Sequence, residues 1–258
     1  VSNIRNQFWL KRSLIWDFAT SDLKVRYRNS ILGFIWTFLE PLLLLSVLYI
    51  VFTNIFKSQI EFFPLYLLLG LIMWNMFVRG TQLALNSILT RKGIMTQIYV
   101  PVEIPPISSS LTSLIMLTLE MVAFGIFMVA FHFVPTSTII ILPLVLILEF
   151  ILVMGLSLPL SVLNVKFRDT QFIWGVILQV GFFMTPIFYK IDILPQQIQP
   201  IIRLNPMVQI INFAHNAVLY NILPTINEVA MAIGTTGVIF AVGYGIFRKL
   251  RSRIIEEL

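Results

Sequence analysis

Few side chains in this chain could do chemistry. Three acids, Glu40, Glu120 and Glu149, lie inside long apolar stretches, and three bases, Lys24, Arg26 and Arg28, alternate directly before the first stretch. An ionised side chain at the centre of a bilayer costs at least ~2.5 kcal/mol on insertion scales, so each acid is expected to face protein or water. Two readings fit: a proton relay of a secondary transporter, or hydrogen-bonded groups that hold helices together or line a pathway. The second fits better, because no lysine or arginine is expected in the same spans to complete a relay. Glu40 stands apart, since Pro41 follows it, frees a backbone carbonyl one turn earlier and can kink the helix there.

Several reaction classes find no support. No G-x-x-x-x-G-K-[ST] occurs, so ATP binding through a P-loop is not expected of this chain. No close carboxylate pair suggests a hydrolytic site, and Ser, His and Asp are too sparse for a triad. An intramembrane glycosyl or phosphoryl transferase would need a carboxylate cluster for Mg²⁺, which Asp169 alone does not supply. There is no cysteine, and only His132 and His215 remain as classical metal ligands, so no metal site is expected.

The elements that position these residues must be membrane helices. The 258 residues are 58% hydrophobic and 12% charged, with a mean hydropathy of +0.90. A soluble domain carries charge at roughly a quarter of its positions. Six apolar stretches stand out, at about 31–56, 62–78, 107–131, 139–164, 172–189 and 228–247. Many reach the ~20 residues that cross a bilayer core. The expected fold is an all-α integral membrane protein of six transmembrane helices forming one domain over 1–258. It comprises an N-terminal segment 1–28, a bundle 31–247 and a tail 248–258. Six crossings put both termini on one side, and that side carries fifteen Lys and Arg against three on the other, counting Arg79, Arg91 and Lys92 in the connection after the second span. The positive-inside rule makes both termini cytoplasmic. The net charge of +6 then serves orientation and anionic lipid rather than nucleic acid.

The segments between spans have their own character. Residues 4–19 place Ile4, Phe8, Ile15, Phe18 and Ala19 near one helical face, too polar overall to span, with Trp9 and Trp16 suited to an interface. Residues 4–28 mix charges and aromatics, so no cleavable leader is expected there. The connection 91–106 holds a short amphipathic piece ended by Pro101, Pro105 and Pro106. It is either a plain joint or a docking surface. Residues 190–227 are long and apolar for a loop, and Gln209, Asn212 and Asn216 share one helical stripe; a re-entrant or interfacial helical pair broken at 204–206 is expected. Aromatic residues, Phe34, Trp36, Phe38, Tyr49, Trp74, Trp174, Phe182, Phe183, Phe188 and Tyr189, concentrate near span ends, where interfacial anchoring is the common role. Phe182, Phe183 and Tyr189, around the break at 184–186, would also suit a cavity in which the rings meet a sugar. Arg168 and Asp169 lie in a short turn, where a charge pair would either clamp two helix ends or touch a cytoplasmic partner; the clamp is the expected role.

Four segments in order carry a resemblance: "KVRYRNSILGFIWTFLEPLLLL" (24–45), "NVKFRDT" (164–170), "FFMTPIFY" (182–189) and "LNP" (204–206). Together they resemble transmembrane subunits of bacterial polysaccharide ABC exporters, the O-antigen permeases, with teichoic acid permeases as close relatives. The likeness runs over nearly the full length and is loosest at 91–106. It implies a homodimer of six-span permeases in the bacterial inner membrane. Each would dock on a separate cytoplasmic ATPase subunit, which would bind ATP and Mg²⁺, and export a polymer attached to a polyprenyl diphosphate. It further implies that the N-terminal helix is an interface helix and that 91–106 contains the coupling helix, with Arg91, Lys92, Gln97, Tyr99 and Glu103 as contact candidates. It makes 190–221 a pair of short periplasmic gate helices bearing Asn205, Pro206, Gln209, Asn212 and Asn216.

On that reading Lys24, Arg26 and Arg28 either guide the lipid diphosphate at the cytoplasmic entrance or only enforce orientation and bind anionic lipid. Glu40, Phe34, Trp36, Tyr49, Phe182, Phe183 and Tyr189 become candidates for the channel wall. The alternatives are an ABC permease for drugs or small lipids and a proton-coupled transporter using the three acids. No internal repeat supports the latter.

Overall fold

The computed structural model describes residues 2–28, 30–33, 35–54 and 60–257, with side chains between residues 11 and 252; Phe34 lies outside the described residues. Among them there are only helices and connecting turns. The long helices are α1 (Ser2–Tyr27), α2 (Ile35–Asn54), α3 (Phe63–Thr90), α5 (Ile104–Ala130), α6 (Leu142–Lys166), α7 (Thr170–Met184), α9 (Pro206–Leu219) and α10 (Ile226–Glu257). Two short ones, α4 (Lys92–Met95) and α8 (Gln199–Arg203), complete the set, with single 3₁₀ turns at Ser137–Ile141 and Ile191–Ile193. Proline opens helix after helix: α3, α5, α6, α8 and α9 each carry one in the first two positions, where its missing N–H has no partner to lose.

Among the described residues, five helical segments are long and apolar enough to cross a membrane: Ile35–Asn54, Phe63–Thr90, Ile104–Ala130, Ser137–Lys166 and Ile226–Ser252. Helix α3 is the axis, with the apolar core built along Leu65 to Phe77 and continued by residues of α5, α6 and α9. By contrast α2 and α10 bury only 17% of their apolar windows.

The second apolar stretch, expected to end at 78, runs on as helix to Thr90. Arg79 breaks the hydropathy but not the helix, because its guanidinium is neutralised inside the bundle by Glu120. This corrects one expectation: Arg79 does not belong to a connection between spans, which leaves fourteen bases counted for the side of the termini against three. The base that meets the acids comes from a neighbouring helix, not from α2, α5 or α6, which carry Glu40, Glu120 and Glu149.

Helix register follows from close contacts. A Cβ at Gly155 of α6 would lie 2.8 Å from the Phe240 Cα of α10, and Gly243 approaches the Gly155 carbonyl. Farther along, Leu158 and Val162 join Phe247 in one apolar cluster. Residue numbers rise together, so α6 and α10 run parallel. Pro159 contributes by removing the hydrogen bond that the Gly155 carbonyl would accept, leaving that oxygen facing α10.

The fifth apolar stretch is a helix of 15 residues, shorter than the ~20 that span a bilayer. It runs antiparallel to α3: Trp174 Nε1 donates to Thr81 Oγ1 (3.0 Å), Gly181 packs on Trp74, and the segment beyond meets Tyr66 and Gly70. From Thr81 to Tyr66 is about 22 Å along α3.

Candidate functional site

The three acids come from three helices, α2, α5 and α6, and one of them meets a base. Arg79 Nη1 and Nη2 donate to the two Glu120 oxygens at 2.5 and 2.6 Å, a fork-on-fork pair with Glu120 fully buried and Arg79 8% exposed. Glu149 is fully buried, and neither of its oxygens has a hydrogen-bond partner; Arg79 Nε has none either. Glu40 is exposed on α2, and Pro41 behind it is buried.

At the end of α1, Lys24, Arg26 and Arg28 are all exposed. Between them Tyr27 turns inward, and its hydroxyl shares a hydrogen bond with Thr37 Oγ1 of α2. Thr37 is the residue whose carbonyl Pro41 deprives of its helical partner. The basic trio is thereby fixed against the start of α2.

The connection 91–106 divides into inward and outward residues. Lys92, Gln97 and Tyr99 are exposed, Tyr99 to 90%. Arg91, expected to face a partner, is instead 7% exposed: its Nη2 forms an ion pair with Asp22 Oδ1 of α1 at 2.6 Å, too far off line to count as a hydrogen bond. Nη1 donates to Ser109 Oγ of α5 at 3.4 Å, and the guanidinium lies over the Phe18 ring. A charge that closes a joint of three helices is not available at the surface. Glu103 is half-buried between Lys11 (3.3 Å) and Arg251 (3.9 Å).

Phe182, Phe183 and Tyr189 come together around the break after α7. Phe188 sits 5.7 Å from Phe182, 6.4 Å from Phe183 and 5.2 Å from Tyr189, and Phe52 of α2 joins at 4.9 Å. The break is pinned from α3: Tyr66 donates to the carbonyls of Tyr189 (2.9 Å) and Pro186 (3.3 Å), its ring stacks on His215 of α9, and Gly70 lets the Ile187 carbonyl approach. Tyr49 stacks on Phe63 at the margin of this group. Trp36, thirteen residues earlier and roughly 20 Å along α2, does not reach it. Sequence reasoning missed the Tyr66 and His215 latch, since each residue alone looks like ordinary core.

Beyond the break, Asn205 caps α9 by accepting from Met207 N, and Pro206 opens the helix. Gln209 Nε2 donates to the Arg203 carbonyl at 2.7 Å, closing the corner between α8 and α9, and Thr235 of α10 donates to its Oε1. Asn212 and Asn216 are half-buried. Nearby, burial and the Glu61 carboxylate push the Tyr220 hydroxyl up to about 12, and Lys190 lies over its ring.

The turn at 167–170 corrects a further expectation. Arg168 and Asp169 are exposed, and among the described residues no ion pair joins them. The turn is held by its backbone: Phe172 N and Ile173 N donate to the Asp169 carbonyl, and Thr170 Oγ1 to that of Phe167.

Comparison with known proteins gives this arrangement a context. Residues 14–219 match the model of the ABC-2 type transporter family. The chain is 28% identical over 250 residues to the O-antigen export system permease protein RfbA of Myxococcus xanthus, covering 96% of each chain. It is 29% identical to the protein of that name from Klebsiella pneumoniae, covering 93% of each, and 24% identical to the polysialic acid transport protein KpsM of Escherichia coli, covering 83% of this chain and 84% of that one. The family match extends from α1 to the end of α9 and takes in both the basic end of α1 and the aromatic break; the chain is a multi-pass membrane protein that belongs to the ABC-2 type transporter family.

Proposed function

We propose that this chain is the membrane subunit of an ABC exporter that moves a polyprenyl-diphosphate-linked polysaccharide from cytoplasm to periplasm, driven by ATP hydrolysis on a separate cytoplasmic subunit. The observation that carries the reading is the likeness to O-antigen permeases over nearly the whole chain, within a family match of 14–219.

Six crossings fit the register. Parallel α6 and α10 require the chain between them to return to the opposite end, and α7 with its extended continuation lies along about 22 Å of α3. Both termini are then cytoplasmic, by the surplus of bases on that side. In this scheme Lys24, Arg26 and Arg28 receive the diphosphate, with Glu40 and the kinked α2 above them. Phe182, Phe183 and Tyr189 offer rings to sugar faces, and α8 with α9 forms the periplasmic gate. Lys92, Gln97 and Tyr99 meet the ATPase. The exposed apolar faces of α2 and α10, with Leu43, Val47 and Ile50 on one and Val238, Val242 and Ile246 on the other, are free for lipid or a second copy of a homodimer.

A proton-coupled mechanism is less well served. Glu120 is committed to Arg79, which removes one of the acids such a relay would use. Isolation with a candidate ABC ATPase tests the proposal: the pair should copurify, and the membrane subunit should stimulate ATP hydrolysis. A chain that moves solute alone under a proton gradient would overturn it.

A further inference from the structure

Helix α1 touches both ends of segment 92–102, in which most residues from 92 to 99 are exposed. At one end is Arg91. Its carbonyl accepts from Ile94 N and Met95 N, so α4 is folded on it, while its side chain runs back to Asp22 of α1 and Ser109 of α5. Ser109 Oγ in turn lies 3.3 Å from Asp22 Oδ2, closing a three-residue ring, and Thr112 Oγ1 donates to the Ala19 carbonyl one turn away. At the other end Glu103 is held by Lys11 of α1 and Arg251 of α10. Between the two ends, Lys92, Gly93, Ile94, Thr96, Gln97, Ile98 and Tyr99 are exposed.

Helix α1 continues from this joint to the basic trio. Asp22 stands five residues before Tyr27, about 7.5 Å along the helix, and Tyr27 is bonded to Thr37 at the start of α2. A displacement of segment 92–102 that is carried by Arg91 therefore shifts Lys24, Arg26 and Arg28, and through Tyr27 the weakened turn before Pro41.

We infer that Asp22 and Arg91 are positioning residues that make α1 a rigid link between the partner-facing segment and the basic entrance. The inference rests on the proposed function for the meaning of its two ends, but the mechanical link does not depend on the cargo. Arg91 is suited to the task because its buried guanidinium is held at once by Asp22 of α1 and Ser109 of α5. The pair on Glu103 is more exposed and weaker, and serves as a second attachment.

Two measurements on the full chain with its partner ATPase in vesicles test this. The first is glycan moved per ATP hydrolysed. Asp22→Asn should leave assembly and ATPase stimulation intact while that ratio falls roughly tenfold, within the range that substitutions along a coupling network produce. Exchanging the charges, Asp22→Arg with Arg91→Asp, should restore most of it, which a defect in packing alone would not allow. The second readout needs no transport. The chain has no cysteine, so spin labels can be placed at Val25→Cys and Thr96→Cys, both exposed. Their separation should be narrowly distributed in the otherwise unaltered chain and broadened by Asp22→Asn. A broad distribution in both, or an unchanged ratio in intact Asp22→Asn complexes, overturns the link. Absence of ATP-driven glycan movement in the unaltered complex, with the narrow distribution retained, would overturn the proposed function and leave the link standing.

Discussion

Two arginines twelve residues apart, one inside α3 and one just past its end, meet carboxylates in different ways. Arg79 is sealed against Glu120 between α3 and α5, with both partners out of reach of solvent and both fork hydrogen bonds made. Arg91 closes the end of α3 on Asp22, which is 28% exposed at its side chain and lies beside the exposed residues of α4. The first joint has no room to rearrange without stranding a charge in apolar surroundings. In the second only the carboxylate is partly open to water, while the guanidinium is as buried as that of Arg79. The same pair of residue types thus makes a sealed core element in one place and a joint between helix ends, with one partner part-exposed, in the other.

This contrast can be broken by substitution. Glu120→Ala leaves Arg79 buried and unpaired, and should cost about 3–5 kcal/mol, read as a large loss of thermal stability in detergent. Replacing both Arg79 and Glu120 with leucine should recover most of that loss; failure to do so would give the pair a role beyond its own neutralisation. Gly155→Val tests the packing between α6 and α10 without touching charge. The added side chain meets the Phe240 backbone, and ~1–3 kcal/mol should be lost in the same assay.

At the rim the effects shrink. Asp22→Asn should reduce stability by only about 1 kcal/mol, because Ser109 and water remain to satisfy Arg91. Lys11→Ala should cost less than ~1 kcal/mol and lose its effect at high salt, as expected of an exposed pair. The smallest net effect sharpens the comparison inside the core. Glu149 is as buried as Glu120 but has no hydrogen-bond partner, so Glu149→Leu should leave stability unchanged or raise it. A loss comparable to that of Glu120→Ala would show that Glu149 holds a partner of its own.

Much of the scaffold was legible in the sequence because hydropathy and proline report directly on single helices. The apolar stretches near 107–131 and 139–164 coincide closely with α5 and α6, and the breaks at 184–186 and 204–206 fall where α7 ends and α9 begins. What escaped depends on pairs of distant residues. Arg79 reads as the end of a span until Glu120, forty-one residues later, is placed opposite it. Arg91 reads as a surface base for the same reason: Asp22, its partner, belongs to a helix with no obvious periodic match. The three acids could be singled out one by one, but the commitment of Glu120 to Arg79 follows only from the packing of α3 against α5. Arg168 and Asp169 show the reverse error, where adjacency in sequence suggested a pair that the turn does not form.

The most direct test of the account is movement of polyprenyl-diphosphate glycan across vesicles that contain this chain and its ATPase, with and without ATP. The account predicts movement only when both subunits and ATP are present, and its loss on charge reversal at Arg26 or Arg28 in normally inserted protein. Movement that needs neither the ATPase nor ATP would contradict it.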